Sequence, residues 1–140
     1  MRITTIVLSV VVVWLMSGTA FADTLCFRLT ETNGYTDFKL DIKPSCKAVK
    51  EGQGTKYSAV HGTGRGHEPG GGETESFLIT GTCESRPGAV WLGAVSTGAG
   101  PVELGIFGPS LETGDATLYY NTSAISSGPV VPVSCSSLGL

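Results

Sequence analysis

The chain is poor in charge. Asp, Glu, Lys and Arg make up 15% of its 140 residues, with 9 Lys+Arg against 12 Asp+Glu. That is too few for a long solvated helix or an acidic disordered tail. At a net charge of −3 with no cluster of basic residues, it excludes electrostatic nucleic-acid binding. Histidine is scarce too, with only His61 and His67. There is no Gly-x-Ser-x-Gly, no Ser-x-x-Lys, no close Cys-x-x-Cys pair and no Asp-rich calcium loop. Gly62-Thr63-Gly64 has His67 where a dinucleotide fingerprint needs its last Gly. With no nucleophile–base set and no cofactor motif, the expectation is a protein that is not an enzyme and holds no cofactor or metal. His67-Glu68 lacks the spacing that would aim two imidazoles at one metal.

Long apolar runs are also missing. The longest, Ile6 to Met16, covers about 11 residues, well short of the roughly 20 a spanning helix needs. It follows Arg2 and precedes Ala20-Phe21-Ala22. A charged start, a short apolar middle and a small-x-small end predict a secretory signal peptide over 1–22, cut after Ala22. Asp23-Thr24-Leu25 lacks the small residue that a lipid attachment at Cys26 requires. Residues 23–140 then form one domain. The expected location is secreted or periplasmic.

All four cysteines (Cys26, Cys46, Cys83 and Cys135) lie in that domain. An even count in an exported chain predicts two disulfides.

What is present is period-2 alternation. Phe38, Leu40 and Ile42 alternate with Asp37, Lys39, Asp41 and Lys43, the pattern of a half-buried strand. Leu25, Phe27 and Leu29 alternate just before it, across Asn33-Gly34, a strong hairpin signal. Pairing Thr32 with Tyr35 puts all six apolar residues on one face, with Leu29 opposite Phe38. It also sets Arg28 against Lys39, a like-charge pair. Further strands are expected at Lys56–His61, Glu75–Glu84, Ala89–Val95, Val102–Phe107, Ala116–Asn121 and Val130–Cys135. Gly, Pro and Ser fill the connections. Gly62–Gly72 (GTGRGHEPGGG) is expected to be a mobile loop.

Eight antiparallel strands with short connections predict an all-β domain, an up-and-down barrel rather than a two-sheet sandwich. In such a meander Cys26, Cys46, Cys83 and Cys135 all fall at one end. The first and eighth strands are neighbours, so the expected pairs are Cys26–Cys135 and Cys46–Cys83. One detail opposes this: Cys26 faces away from Leu25 and Phe27, whereas Cys135 shares a face with Val131 and Val133.

The other end carries the loops Thr32–Tyr35, Gly62–Gly72, Ser96–Pro101 and Ala124–Pro129. Loops on a rigid scaffold and barrel mouths are common binding sites. The expectation is a binding module with an unknown small ligand or extracytoplasmic protein at this Gly-rich end. Tyr57, His61, Arg65, His67 and Trp91 are the candidate contacts. The alternative is a surface-interaction protein acting through open strand edges. Stable membrane insertion is not expected: Asp37–Lys43 is short with one charged face, and one Trp in the mature chain makes no girdle. A protease inhibitor would need a reactive-site residue, and Arg86 is followed by Pro87, which blocks cleavage. Asn121-Thr122-Ser123 matches a glycosylation sequon.

Overall fold

The computed structural model describes residues 23–31, 34–68, 72, 76–97 and 101–140. The expected signal peptide lies outside the described residues. Eight strands follow one another: β1 (Asp23–Glu31), β2 (Gly34–Lys43), β3 (Lys56–His67), β4 (Phe77–Arg86), β5 (Ala89–Thr97), β6 (Val102–Gly108), β7 (Asp115–Tyr120) and β8 (Ser123–Pro129). Each pairs antiparallel with the next, in one sheet that curls into a nearly closed barrel.

Alternation explains the interior. Phe27, Phe38, Leu40, Ile42, Val60, Ile79, Leu92, Leu104 and Ile106 point inward and are essentially fully buried. Phe27 stacks on Phe38 across the β1–β2 pair at 5.2 Å between centroids, and Phe77 meets Phe38 edge-on at 6.2 Å. The lumen is a packed core. Burying each such side chain stabilises by roughly 1.5–3 kcal/mol.

Three local expectations are corrected. The β1–β2 register pairs Phe27 with Phe38 and Glu31 with Gly34, two residues from the expected one. A shift of two keeps every side chain on its face. It exchanges the Arg28/Lys39 repulsion for Arg28 opposite Asp37, whose carboxylate takes two hydrogen bonds from the guanidinium at 2.6 and 3.0 Å. Gly34 therefore opens β2 at φ 143°, where a Cβ would stand 2.0 Å from the His67 carbonyl oxygen.

The Gly-rich stretch is strand as far as His67, not loop. Its glycines at 62, 64 and 66 alternate with outward Thr63, Arg65 and His67. At Gly64 a Cβ would lie 2.4 Å from the Phe77 ring. Glycine here makes room for an aromatic side chain inside the barrel.

The eighth strand is Ser123–Pro129, a segment expected to be loop, and not Val130–Cys135. Asn121 and Thr122 have φ of 48° and 66°. Positive φ at both central residues is the hairpin turn that returns the chain at once. Residues 130–138 then leave β8 and run against the free edge of β1. Phe27 bridges to Pro132, and the Val133 N–H donates to the Cys26 carbonyl at 2.9 Å. A short 3-10 turn at Cys135–Ser137 follows.

This strap resolves the orientation conflict. Cys26 points outward, and it is bonded to Cys135 in the strap that covers it. Cys46 is bonded to Cys83 at the same end of the barrel. There Val49 pairs with the β4–β5 turn, donating to the Arg86 carbonyl at 3.0 Å and accepting from the Gly88 N–H at 3.2 Å. The disulfides close sequence separations of 109 and 37 residues. Chain entropy assigns them about 5 and about 4 kcal/mol.

Peptide mapping without reduction should recover Cys26 with Cys135 and Cys46 with Cys83. A Cys26→Ser/Cys135→Ser variant should lose about 4 kcal/mol or more of unfolding free energy. Its β1 amides should lose hydrogen-exchange protection before those of β4 and β5. Uniform loss across all strands would show that the strap does not hold the seam.

Candidate functional site on the outer wall

The sequence-predicted contacts do not form one site. Tyr57, His61, Arg65 and His67 all project outward along β3, with about 33 Å of strand between the first and last. At the far end His67 lies in a structural cluster. Its ring stacks on Tyr35 at 4.3 Å, and the Arg28 guanidinium sits 3.8 Å above that same Tyr35 ring. Together they enclose Asp37, only 1% exposed although it faces outward. His67 Nε2 stands 3.3 Å from Asp37 Oδ2. The hydrogen bond with Asp37 is the largest influence on Arg28 and raises its pKa above the ordinary guanidinium value, while burial opposes it. Arg65 donates from Nε and Nη2 to Ser76 Oγ at 3.1 and 2.9 Å. His61 is exposed. Inward positions near the open end turn polar: Thr36 donates to Glu31 Oε1 at 2.8 Å, and Ser126 donates across the seam to the Thr30 carbonyl at 3.0 Å.

Tyr57 and Trp91 belong to another region. The registers align Tyr57, Glu84, Trp91, Phe107 and Asp115 in one row across β3 to β7. Its three aromatic residues are 62%, 50% and 54% exposed. Phe107 meets Trp91 edge-on at 5.6 Å. Arg86 lies 5.2 Å from the Trp91 ring centre and donates from Nε to Glu84 Oε2 at 2.9 Å. Two residues further along each strand runs a row with little side chain: Thr82, Gly93, Gly105, Thr117 and Ser127. A Cβ at Gly93 would meet nothing within 4 Å, so that backbone is bare to solvent. Between the rows opens a cleft of about 300 Å³ lined by Thr82, Glu84, Arg86, Trp91 and Gly93. That is the lower end of the range for small-molecule sites.

Sequence reasoning found Trp91 and Tyr57 but missed Gly93, Gly105, Thr82 and Phe107. The available signal was Trp91-x-Gly93 beside Gly105-x-Phe107: a strand-interior glycine next to an outward aromatic on the same face. Strand glycines often mark close approach by a ligand or another backbone.

The fold and cleft together define the protein as a disulfide-strapped, solid-cored up-and-down β-barrel with an aromatic outer wall. Comparison with protein-family models, curated proteins and solved structures gives no match for this chain.

Two glycines on adjacent strands should respond oppositely to substitution. Gly93→Val fills open space and should change unfolding free energy by less than about 0.5 kcal/mol. Gly81→Val should cost about 2–3 kcal/mol, because a Cβ there would stand 2.0 Å from the Gly93 carbonyl. Urea midpoints of the two variants decide it. By the same measurement, Asp37→Ala should cost about 2 kcal/mol, since it removes a buried carboxylate that takes two hydrogen bonds from the half-exposed Arg28 and stands 3.3 Å from His67 Nε2.

Proposed function

We propose that this chain is an exported, non-enzymatic binding module that engages its ligand or partner through the outer wall of β3–β6. Two disulfides fit an oxidising compartment outside the cytoplasm. The observation that carries the reading is the row Tyr57, Trp91 and Phe107, exposed beside bare backbone at Gly93. Exposed aromatic side chains are the residue class that contributes most to recognition. In a packed β-barrel they are free to serve no core.

Two sequence-based alternatives are less well supported. Binding among Gly-rich loops at the barrel mouth loses much of its basis, because Gly62–His67 is strand and its glycines on the inward face accommodate Leu40 and Phe77. Strand addition at an open edge needs an accessible β1, and the strap from Val130 to Leu138 occupies part of that edge.

The test is affinity capture from the extracytoplasmic fraction of the source, with intact chain and with Trp91→Ala/Phe107→Ala immobilised side by side. Bound material is analysed for both protein and sugar. Components held by the native chain should be lost by the double variant, and urea midpoints of the two chains should agree. Equal retention by both would refute the outer-wall assignment.

A further inference from the structure

We infer that the stapled end of the barrel carries a reactive-site loop that inhibits trypsin-type serine proteases, with Lys47–Ala48 as the bond presented to the enzyme. The inference goes beyond the outer-wall reading and shares no side chain with it. Such a protease takes an extended segment, seats a basic side chain in a pocket with a carboxylate, and needs a residue other than proline after the cut. The structure removes every other basic residue among those described. Arg28, Lys39, Lys56 and Arg65 lie in strands, where the backbone is committed to ladders. Lys43 and Arg86 precede Pro44 and Pro87. Lys50 opens a tight turn: its carbonyl accepts from the Gln53 N–H at 3.1 Å, and its N–H donates to Gln53 Oε1 at 3.1 Å. Lys47 is left, exposed and followed by exposed Ala48, in a stretch from 45 to 48 that is neither helix nor strand.

The loop is clamped on both sides of that bond. Cys46 is buried and bonded to Cys83 on β4, and Ser85 Oγ lies 3.5 Å from its sulfur. Val49 bridges in parallel to the β4–β5 turn, its N–H donating to the Arg86 carbonyl at 3.0 Å and its carbonyl accepting from the Gly88 N–H at 3.2 Å. Between these anchors lie Lys47 and Ala48, and both anchors hold to one hairpin, β4–β5. A segment fixed in this way loses little conformational freedom on binding, and protease–inhibitor interfaces move their backbones little.

A cut at this bond does not release a product. The protease serine attacks the Lys47 carbonyl carbon, the C–N bond to Ala48 breaks, and the Ala48 nitrogen takes up a proton from the general acid. In a free peptide the new amine diffuses away and water removes the acyl group. Here Ala48 stays tethered through Val49, placed to attack the acyl carbon, return its proton and expel the serine, which re-forms the bond. Where water completes the hydrolysis, the pieces still hold together. Cys26 and Cys46 precede the cut, their partners Cys135 and Cys83 follow it, and β2 remains paired with β3. The nicked chain therefore keeps its loop in place on the enzyme.

The experiment titrates the chain, with both disulfides intact, into trypsin acting on a chromogenic lysyl substrate. Reversible, competitive inhibition is expected, with an inhibition constant of about 1 μM or lower. Lys47→Ala should weaken it by about 100-fold or more, and Lys47→Arg should retain it. Lys47→Leu should move inhibition from trypsin to chymotrypsin, whose pocket is apolar. Lys50→Ala, which removes the same charge from the same loop, should leave inhibition intact. Both lysines are exposed, so urea midpoints of all these variants should agree with that of the native chain. Long incubation with a catalytic amount of trypsin should give a single cut: a mass gain of one water before reduction, and after it fragments that end at Lys47 and begin at Ala48. No inhibition well above micromolar concentration, rapid degradation to several fragments, or inhibition that Lys47→Ala leaves unchanged overturns the assignment.

Discussion

An eight-strand meander must join its last strand to its first or leave two strand edges open. Here the two strands meet through few direct contacts, one of them the Ser126 hydroxyl bonded to the Thr30 carbonyl. The joint is completed by the strap of residues 130–138, paired along the edge of β1 and anchored by Cys26–Cys135. The rest of the structure depends on this closure. It holds the curvature that turns Phe27, Phe38 and Leu92 toward a common centre, and it buries the outward Cys26 sulfur in its disulfide with Cys135.

Closure also divides the labour of the side chains. The interior is filled by aliphatic and aromatic residues and is stabilised as a core. The same residue type takes opposite meanings on the two sides of the wall. Gly62 and Gly64 lie inside, where Leu40 and Phe77 occupy the space a Cβ would need. Gly93 lies outside, where nothing does. The first two are demanded by packing; Gly93 is not, and that is why it draws a functional interpretation.

The outer wall is itself two-sided. Over β1–β3 it carries Arg28, Asp37, Lys39, Asp41, Lys43, Arg65 and His67, partly knitted into the Arg28–Tyr35–His67 stack around Asp37. From β4 onward charge thins and aromatic, hydroxyl and glycine positions take over. The barrel therefore has a polar, knitted face over β1–β3 and a sparsely charged aromatic face from β4 onward.

Much of this was legible in the residues. Period-2 alternation of Phe38, Leu40 and Ile42 names the inward face whatever the register, because a two-residue shift leaves faces unchanged. Turn residues and strand spacing indicate a barrel of eight strands. Trp91 and Tyr57 stand out as aromatic residues at alternating positions. The register itself, the eighth strand and the cleft were decided only by tertiary structure. Arg28 chooses Asp37 over Lys39 through a contact that alternation does not encode. Ser123–Pro129 has little apolar signal and becomes a strand because the Asn121-Thr122 turn delivers it against β7 at the seam. Thr82, Gly93, Gly105 and Thr117 come from four separate strands. Only the hydrogen-bond ladders align them, so their common row exists in the folded sheet and nowhere along the chain.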